Sequence, residues 1–254
     1  MNYKEIKAFQ YKNGITSQIN EKLIKEEFLR VYINNIHIED ILTIEEDIEL
    51  LALGNYFHCI DSAPDTILNN VRISDKAANI TLESADLDDK TYKRNLSCSD
   101  GLNAENKNIF RLNCREITLY PDIIFKIKSK FEEMSRLFKE TAGVHSASIF
   151  DENGDNLGFF IDIARRNCLS KATGYLIKNK DQIKDKSLCI MISSRVNSET
   201  IKMFDKLGVS TLITKAAPSF DSVIESEKRD ITLIGFLKED RFTVFCGNSR
   251  VITR

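Results

Sequence analysis

Strand and helix signals alternate through the C-terminal half of the chain, and this alternation limits the fold more than any other feature of the sequence. The apolar runs L-C-I-M-I and S-T-L-I-T are typical of buried strands, and S-E-T-I-K-M-F-D-K-L between them is typical of a helix. A further helix, S-F-D-S-V-I-E-S, precedes the strand I-T-L-I-G-F-L. Such alternation predicts a largely parallel sheet flanked by helices, so we expect an α/β domain over residues 121–254.

The first part of this domain has signals of its own. An amphipathic helix ending near Gly143 is predicted by apolar residues at helical spacing, which are Ile124, Ile127, Phe131, Met134 and Phe138. The strand V-H-S-A-S-I-F follows. The Asn-Gly pair in E-N-G-D is typical of a tight turn, so L-G-F-F-I-D-I is expected to return as the partner strand.

The N-terminal half is harder to interpret. A polar tail covers residues 1–27, and a smaller α+β subdomain is expected over 28–120. Its segment E-F-L-R-V-Y-I-N-N-I-H-I predicts a hairpin closed at Asn34-Asn35, because asparagine tolerates positive φ. Thr43 and Glu46 have the spacing of a capping box for a helix reaching about Phe57. Short strands are predicted at 71–73 and 80–82.

Composition excludes several classes of protein. A net charge of -2 and a pI of about 6.0 give no basic face for nucleic acid. The sequence has no apolar run long enough to span a membrane and no signal-peptide pattern at its start, so we expect a cytoplasmic protein. The six cysteines are widely and irregularly spaced, unlike the framework of a small secreted fold. Cys189 and Cys246 lie in apolar runs and are expected to be inert, whereas Cys98 lies in the polar loop N-L-S-C-S-D-G-L-N.

Polar residues follow three successive predicted strands, where loops lead into helices. These residues are Asp162, Arg165 and Arg166, then Ser193, Ser194 and Arg195, then Lys215, Ala217, Pro218 and Ser219. Cations beside hydroxyls and helix N-termini favour binding of phosphate, so we predict a phosphorylated or nucleotide-like ligand. The alternative is that these side chains are simply solvated. His145 is a further candidate, although a histidine at the start of a buried strand is more often structural.

Several motifs together resemble one family. G-V-H-S-A-S-I-F-D, D-I-A-R-R-N-C-L-S-K, S-S-R-V-N, A-A-P-S and I-T-L-I-G-F-L-K-E-D-R-F-T-V-F occur in the order and spacing of the FdhD family, the formate dehydrogenase accessory sulfurtransferases. The resemblance extends from about Phe28 to the C-terminus. It implies a homodimer with a cytidine-deaminase-like fold, in which a layered sheet is flanked by helices.

The resemblance also implies a function. It indicates a sulfur carrier that takes sulfur from a cysteine desulfurase and passes it to the molybdenum of a bis(molybdopterin guanine dinucleotide) cofactor destined for formate dehydrogenase. That cofactor is a bound client, and no permanent cofactor or metal is expected. To the candidate cofactor-binding residues above, the family's motifs add Asn167, Lys171, Phe236, Leu237, Lys238, Glu239, Asp240 and Arg241.

The family's C-x-x-C motif falls on the Cys98 loop. Cys98 matches the first cysteine, which is expected to carry the persulfide, but Gly101 stands where the second should be. The pattern G-R-H-N-x-x-D-K is here A-R-R-N-C-L-S-K, so a histidine and an aspartate are also replaced. A thiolate needs no second cysteine to accept sulfur, so we predict a single-thiol carrier.

Two further hypotheses come from other classes of protein. The first is a non-catalytic binder of molybdopterin guanine dinucleotide or a guanine nucleotide, because the phosphate-binding cations remain while groups able to transfer a proton are lost. The second is a zinc deaminase, suggested by His37 and Glu39 in an H-x-E pattern. We reject the deaminase because the P-C-x-x-C run that supplies its remaining zinc ligands is absent from the sequence.

Overall fold

The computed structural model describes residues 2–59, 71–74, 76–81, 112 and 116–252. The strands of this part are β1 (Tyr3–Lys12), β2 (Ile15–Ile24), β3 (Glu27–Ile33), β4 (Ile36–Thr43), β5 (Val71–Ser74), β6 (Ala77–Ile80), β7 (His145–Asp151), β8 (Asn156–Asp162), β9 (Leu188–Ile192), β10 (Thr211–Thr214), β11 (Thr232–Gly235) and β12 (Thr243–Cys246). The helices are α1 (Ile48–Cys59), α2 (Pro121–Met134), α3 (Arg136–Thr141), α4 (Arg165–Lys178), α5 (Lys180–Ile183), α6 (Ser198–Leu207) and α7 (Phe220–Lys228), with a 3-10 turn at Asn248–Arg250.

A six-stranded sheet in the order β12-β11-β10-β9-β7-β8 forms the centre of the C-terminal part. The α/β fold class is confirmed, but the expected largely parallel pairing is wrong. Only β9 with β10 and β10 with β11 pair in parallel, because β7, β8 and β12 enter through antiparallel pairings. Since β8 and β9 both run antiparallel to β7, strands β8 to β11 point the same way. Their carboxyl ends therefore lie along one edge of the sheet, which we call the carboxyl edge.

The sheet is covered on both faces. Side chains of β9 alternate between two clusters of buried residues, because successive residues of a strand point to opposite faces. Cys189 and Met191 belong to the cluster with α2, while Ile190 and Ile192 belong to the cluster with α1, α4 and α6. The second cluster also contains Leu29 of β3, so the two halves of the chain share a core.

A four-stranded sheet, β4-β3-β6-β5, forms the N-terminal part. The predicted hairpin is confirmed: Asn34 and Asn35 have φ of 47° and 66°, as a two-residue type I′ turn requires. The predicted capping box is wrong, because α1 begins at Ile48 and its first backbone bond is accepted by the carbonyl of Asp47. The hydroxyl of Thr43 instead donates to Asp162 on β8.

The polar tail is also corrected, because β1 and β2 form an antiparallel hairpin of ten residues on each strand. Its turn is Asn13-Gly14, with φ of 52° and 83°. At its base Lys22 donates to Glu140 of α3 at 2.8 Å. The domain boundaries predicted at residues 28 and 121 stay predictions.

Helices α1 and α4 cross in direct backbone contact. A Cβ added at Gly54 would lie 1.8 Å from the carbonyl oxygen of Ser170, and one at Gly174 would lie 2.0 Å from that of Leu50. Any side chain at either glycine would therefore force the helices apart. This contact fixes α4, whose first residues lie at the carboxyl edge.

Candidate functional site

The loops that the sequence predicts as a binding site lie side by side at the carboxyl edge. His145, the first residue of β7, pairs with Asp162, the last residue of β8. Next to them, the amide of Ser146 donates to the hydroxyl of Ser193 at 2.9 Å. The loop after β9 then contacts the loop after β10, where the amide of Ser219 donates to the carbonyl of Val196 at 2.9 Å.

The last of these loops follows β11. The amide of Phe236 donates to the carbonyl of Ala216 at 3.1 Å, so the loops after β10 and β11 are also joined. Pro218, half-buried, bridges to Val196. The structure therefore brings all the described candidate residues to one edge, although their side chains take different roles there.

Asp162 is the buried centre of a hydrogen-bond network beneath this edge. Its Oδ2 accepts from Thr43 at 2.5 Å and lies 2.8 Å from the ammonium of Lys171. Its Oδ1 accepts from the side chain of Asn167 at 2.9 Å and from the amide of Ala164 at 3.1 Å. The side chains of Asp162 and Lys171 are fully buried, so the pair is shielded from solvent and fixes the turn between β8 and α4.

This network corrects three of the predicted ligand contacts. Lys171 also donates to the carbonyl of Ile161 at 2.9 Å, and Asn167 also donates to the carbonyl of Leu42 at 2.7 Å. Direct contact of Asp162, Asn167 and Lys171 with a ligand does not fit the structure, because each is buried and bound to protein groups. They support the site from below, and they join it to β4.

The four cations predicted in the loops after β8, β9 and β10 divide into two groups. Arg166 donates to Glu199 at 3.0 Å, and Lys215 is paired with Glu132. Arg165 and Arg195 are exposed, and their guanidinium groups have no hydrogen bond or ion pair with any residue in the described part of the chain. These two groups follow β8 and β9, so the loops after these strands have two cations available to an anion.

His145 is half-buried beside Arg165. Burial lowers the pKa of His145, and the positive charge of Arg165 lowers it further. The imidazole is therefore neutral at pH 7 and adds no charge of its own. An anion bound between these residues would reverse part of this effect, because it would stabilise the imidazolium.

The hydroxyl groups of the edge also hold its backbone in place. Ser219 caps α7 by accepting from the amide of Ser222 at 3.2 Å, and Asn197 caps α6 by accepting from the amide of Thr200 at 3.0 Å. The carbonyl of Ser194 accepts from the hydroxyl of Thr214 at 2.8 Å. Ser193 and Ser219 accept bonds from the protein but keep a hydroxyl proton to donate, so both are compatible with ligand binding.

Neighbouring side chains in the segment after β11 differ in exposure. Phe236 is 43% exposed at φ 51°, a conformation that costs free energy for a bulky residue, and its ring packs 5.9 Å from that of Phe245. The side chain of Leu237 is buried in the cluster with α2, so a ligand at the edge could meet only the backbone of this predicted residue. A turn closed by Lys238 and Arg241 follows. Lys238, Asp240 and Arg241 are exposed.

Three further residues lie near the edge but are not predicted from the sequence. Phe220 begins α7 directly after Ser219 and is 79% exposed, which places a second aromatic ring beside the loops. Lys128 and Glu132 on α2 contact Glu239 and Lys215, respectively. Lys128 has a detectable signal, because its helical spacing puts a charge on the apolar face of α2.

Cys98 and Gly101 lie outside the described residues. Of the other thiols, Cys168, Cys189 and Cys246 are free and buried, as expected for the last two. Burial raises the pKa of each of these three thiols. They are therefore poor nucleophiles, and they contrast with the exposed, ionisable thiol that sulfur transfer requires.

The described residues contain neither a membrane-spanning helix nor a cluster of metal ligands. None of the helices in that part is long and apolar enough to cross a membrane. No group of histidine, cysteine, aspartate and glutamate side chains there is arranged to hold a metal ion. His37 lies 2.8 Å from Asp40 on the same strand.

Comparison with known proteins decides the family. The FdhD/NarQ family model matches residues 24–252. The chain belongs to this family. The sulfur carrier protein FdhD of Staphylococcus aureus, in strains JH9 and Newman, is 26% identical over 96% of this chain and 94% of the relative. A Desulfotalea psychrophila protein assigned as a formate dehydrogenase accessory protein has the same fold, with a TM-score of 0.79 at 16% identity over 99% of this chain and 100% of that one.

Proposed function

We propose that this chain of the FdhD/NarQ family is a sulfur carrier in formate dehydrogenase maturation, and that the molybdopterin guanine dinucleotide cofactor binds at the carboxyl edge. The observation that carries the binding step is the pair Arg165 and Arg195, which are exposed and unpaired within the described residues. Guanidinium groups bind phosphate oxygens in bidentate fashion. The name of the S. aureus relatives supports the sulfur-carrier role.

The rest of the edge fits such a client. The exposed rings of Phe236 and Phe220 offer flat apolar surfaces for a guanine or a pterin. The hydroxyl of Ser193 and the N-termini of α6 and α7 supply donors for phosphate oxygens. The edge thus combines cations, aromatic rings and donors, which is the set of groups that a dinucleotide requires.

The sulfur step is assigned to Cys98. Its thiolate attacks the outer sulfur of a persulfide on a cysteine desulfurase, the S–S bond of the donor breaks, and the donor cysteine leaves as a thiolate. Cys98 then carries the sulfur as a persulfide. On delivery to the molybdenum of the client cofactor, the persulfide S–S bond breaks, Cys98 leaves as a thiolate, and a reduced molybdenum centre or a thiol reductant supplies the two electrons that convert the sulfur to sulfide. The three buried thiols described above cannot substitute, because their pKa values are raised.

A second candidate is a non-catalytic binder of the same cofactor or of a guanine nucleotide. Gly101 at the position of the second cysteine favours it, since a path that needs two thiols is closed. In this case the carboxyl edge binds its ligand but Cys98 carries no sulfur. The homodimer and the cytoplasmic location implied by the resemblance are part of both proposals.

An intact-mass assay separates the two candidates. Wild type, Cys98→Ala and the control Cys246→Ala are incubated with a cysteine desulfurase and cysteine. A carrier gains a reducible sulfur in wild type and Cys246→Ala but none in Cys98→Ala. If wild type gains no sulfur, the carrier role is wrong and the binder stands.

Calorimetry with guanosine diphosphate tests the binding step. Arg195→Ala should weaken binding about tenfold, because a charge-assisted hydrogen bond is lost. Lys126→Ala is the control: Lys126 bonds Asp155 in the turn after β7, at the opposite edge of the sheet, so it removes the same charge without touching the loops. Equal affinity in both variants would refute the assignment of Arg195.

A further inference from the structure

Four charged side chains form one chain of ion pairs at the rim of the carboxyl edge. The ammonium of Lys128 lies 2.8 Å from Glu132 and 2.7 Å from Glu239, and Glu132 in turn pairs with Lys215. Lys128 is the anchor, because its side chain is only 5% exposed whereas that of Glu239 is 87% exposed. The chain therefore connects α2 with the loops after β10 and β11.

Glu132 occupies the ammonium of Lys215, a group that could otherwise bind a phosphate. Lys215 directly follows β10, so its ammonium lies in the loop next to that of Arg195. Unlike the guanidinium of Arg195, it is already neutralised by a carboxylate. We propose that Glu132 is a specificity-determining residue, an internal carboxylate that a phosphate of the ligand must displace before Lys215 can bind it. This inference rests on the proposed function, because it concerns the ligand of the same site.

The geometry makes the exchange feasible. The Oε2 atom of Glu132 accepts a hydrogen bond from Lys128, and its Oε1 atom accepts one from Lys215. Glu132 therefore keeps a cation partner after it releases Lys215. Lys215 is 40% exposed, so solvent and ligand can reach its ammonium. The Lys128 and Lys215 hydrogen bonds outweigh burial and lower the pKa of Glu132, so the carboxylate is charged when a ligand arrives. The pyrophosphate of a dinucleotide carries two negative charges, so it can compete with the single charge of the Glu132 carboxylate.

Calorimetry with guanosine diphosphate and with guanosine tests this inference. Glu132→Gln keeps an acceptor for Lys128 but removes the competing charge. Glu133→Gln is the matched control, since it removes the same charge from the next residue of α2, which is exposed. Glu132→Gln should bind guanosine diphosphate about fivefold more tightly than Glu133→Gln, the scale expected for a partly exposed ion pair. Guanosine, which has no phosphate, should bind both variants equally.

The double variant Glu132→Gln with Lys215→Ala completes the test. It should bind guanosine diphosphate no more tightly than Lys215→Ala alone, because the gain requires the freed ammonium. Equal affinities of Glu132→Gln and Glu133→Gln, a gain for guanosine, or a gain that persists without Lys215 would each overturn the inference and leave the proposed ligand intact. If wild type and every variant fail to bind guanosine diphosphate, the proposed ligand itself is wrong, and the inference falls with it.

Amino-nitrogen NMR of wild type gives a second measurement that needs no variant at position 132. Saturation with guanosine diphosphate should shift the ammonium resonance of Lys215, which exchanges its partner, and leave that of Lys128 in place. An unchanged Lys215 resonance in the bound protein would contradict the exchange.

Discussion

The buried pair of Asp162 and Lys171 gives a sharp test of how the site is supported. Lys171→Met removes the ammonium and keeps an apolar chain of similar length, so Asp162 remains buried and charged with only the hydrogen bonds from Thr43, Asn167 and the amide of Ala164. Loss of one partner of a buried ion pair costs about 3–5 kcal/mol. A loss of about 4 kcal/mol lowers Tm by about 8–16 °C in a chain of this size.

Urea unfolding followed by circular dichroism measures the loss. The control is Lys178→Met on the same helix, because Lys178 pairs with Glu49 at 2.6 Å but is 45% exposed, and a surface pair is worth less than about 1 kcal/mol. Asp162→Asn combined with Lys171→Met should recover part of the loss, since no unpaired charge stays buried. If Lys171→Met costs as little as Lys178→Met, the network does not hold the β8–α4 turn and the reasoning fails.

Four further predictions concern the packing, charge or burial of single residues. Gly54→Ala places a Cβ against the carbonyl of Ser170, so it should cost about 3 kcal/mol in urea unfolding; an unchanged midpoint would show that the helices can separate freely. Arg165→Gln should raise the pKa of His145 toward 6.5 in an NMR titration, and a fall would contradict the charge effect. Because the folded pKa of His145 is lowered, its contribution to stability should decline as the pH drops below about 6.5, and His145→Gln should flatten that dependence. Finally, Cys189 should react with a thiol reagent only after unfolding, and rapid labelling of the native protein would contradict its burial.

The sequence predicts those elements in which the local pattern of residues determines the structure, such as the spacing of apolar residues along a helix. Helix α2 is such a case as far as Met134, since Ile124, Ile127 and Phe131 recur on the face that packs on the sheet. The predicted extension of this helix to Gly143 is wrong, because α2 ends at Met134 and the separate helix α3 follows, on which Phe138 is 48% exposed. The turn at Asn34-Asn35 is another such case, because positive φ is a local preference of asparagine. In these two elements the local sequence is enough to predict the structure.

The hairpin of β1 and β2 shows why local reasoning fails elsewhere. Asn13-Gly14 is a strong turn signal, but the strands beside it are mostly exposed, with Phe9 and Tyr11 among the exposed residues. Strands that pack against few residues show no alternation of buried and exposed positions, so the sequence of this segment predicts a polar tail instead of a hairpin. The sequence predicts too many parallel pairs for a related reason. The sequence of one strand does not show which strands lie beside it or in which direction they run.

Some features of the site can also be predicted from the local sequence, and others cannot. The sequence places its loops correctly, because the carboxyl ends of strands can be read from the end of an apolar run. It does not show which side chains point outward: Leu237 is buried beside an exposed Phe236, although the two are neighbours. Nor does it show partners that are distant in sequence, such as Thr43 with Asp162, which are 119 residues apart.

Those distant partners decide where an anion can bind. Among the described residues of the edge, Lys171 is neutralised by Asp162, Arg166 is paired with Glu199, and Lys215 is paired with Glu132. In the loops after β8 and β9 this leaves Arg165 and Arg195 without a carboxylate from the described part of the chain, and Lys238 and Arg241 are exposed in the turn after β11, on a chain whose net charge is -2. The overall charge therefore gives no attraction for a phosphate, and the attraction must come from these local cations. We assign most of it to Arg165 and Arg195, so replacing both with glutamine should reduce the salt dependence of guanosine diphosphate binding, which would stay unchanged if the other cations of the edge supplied the attraction.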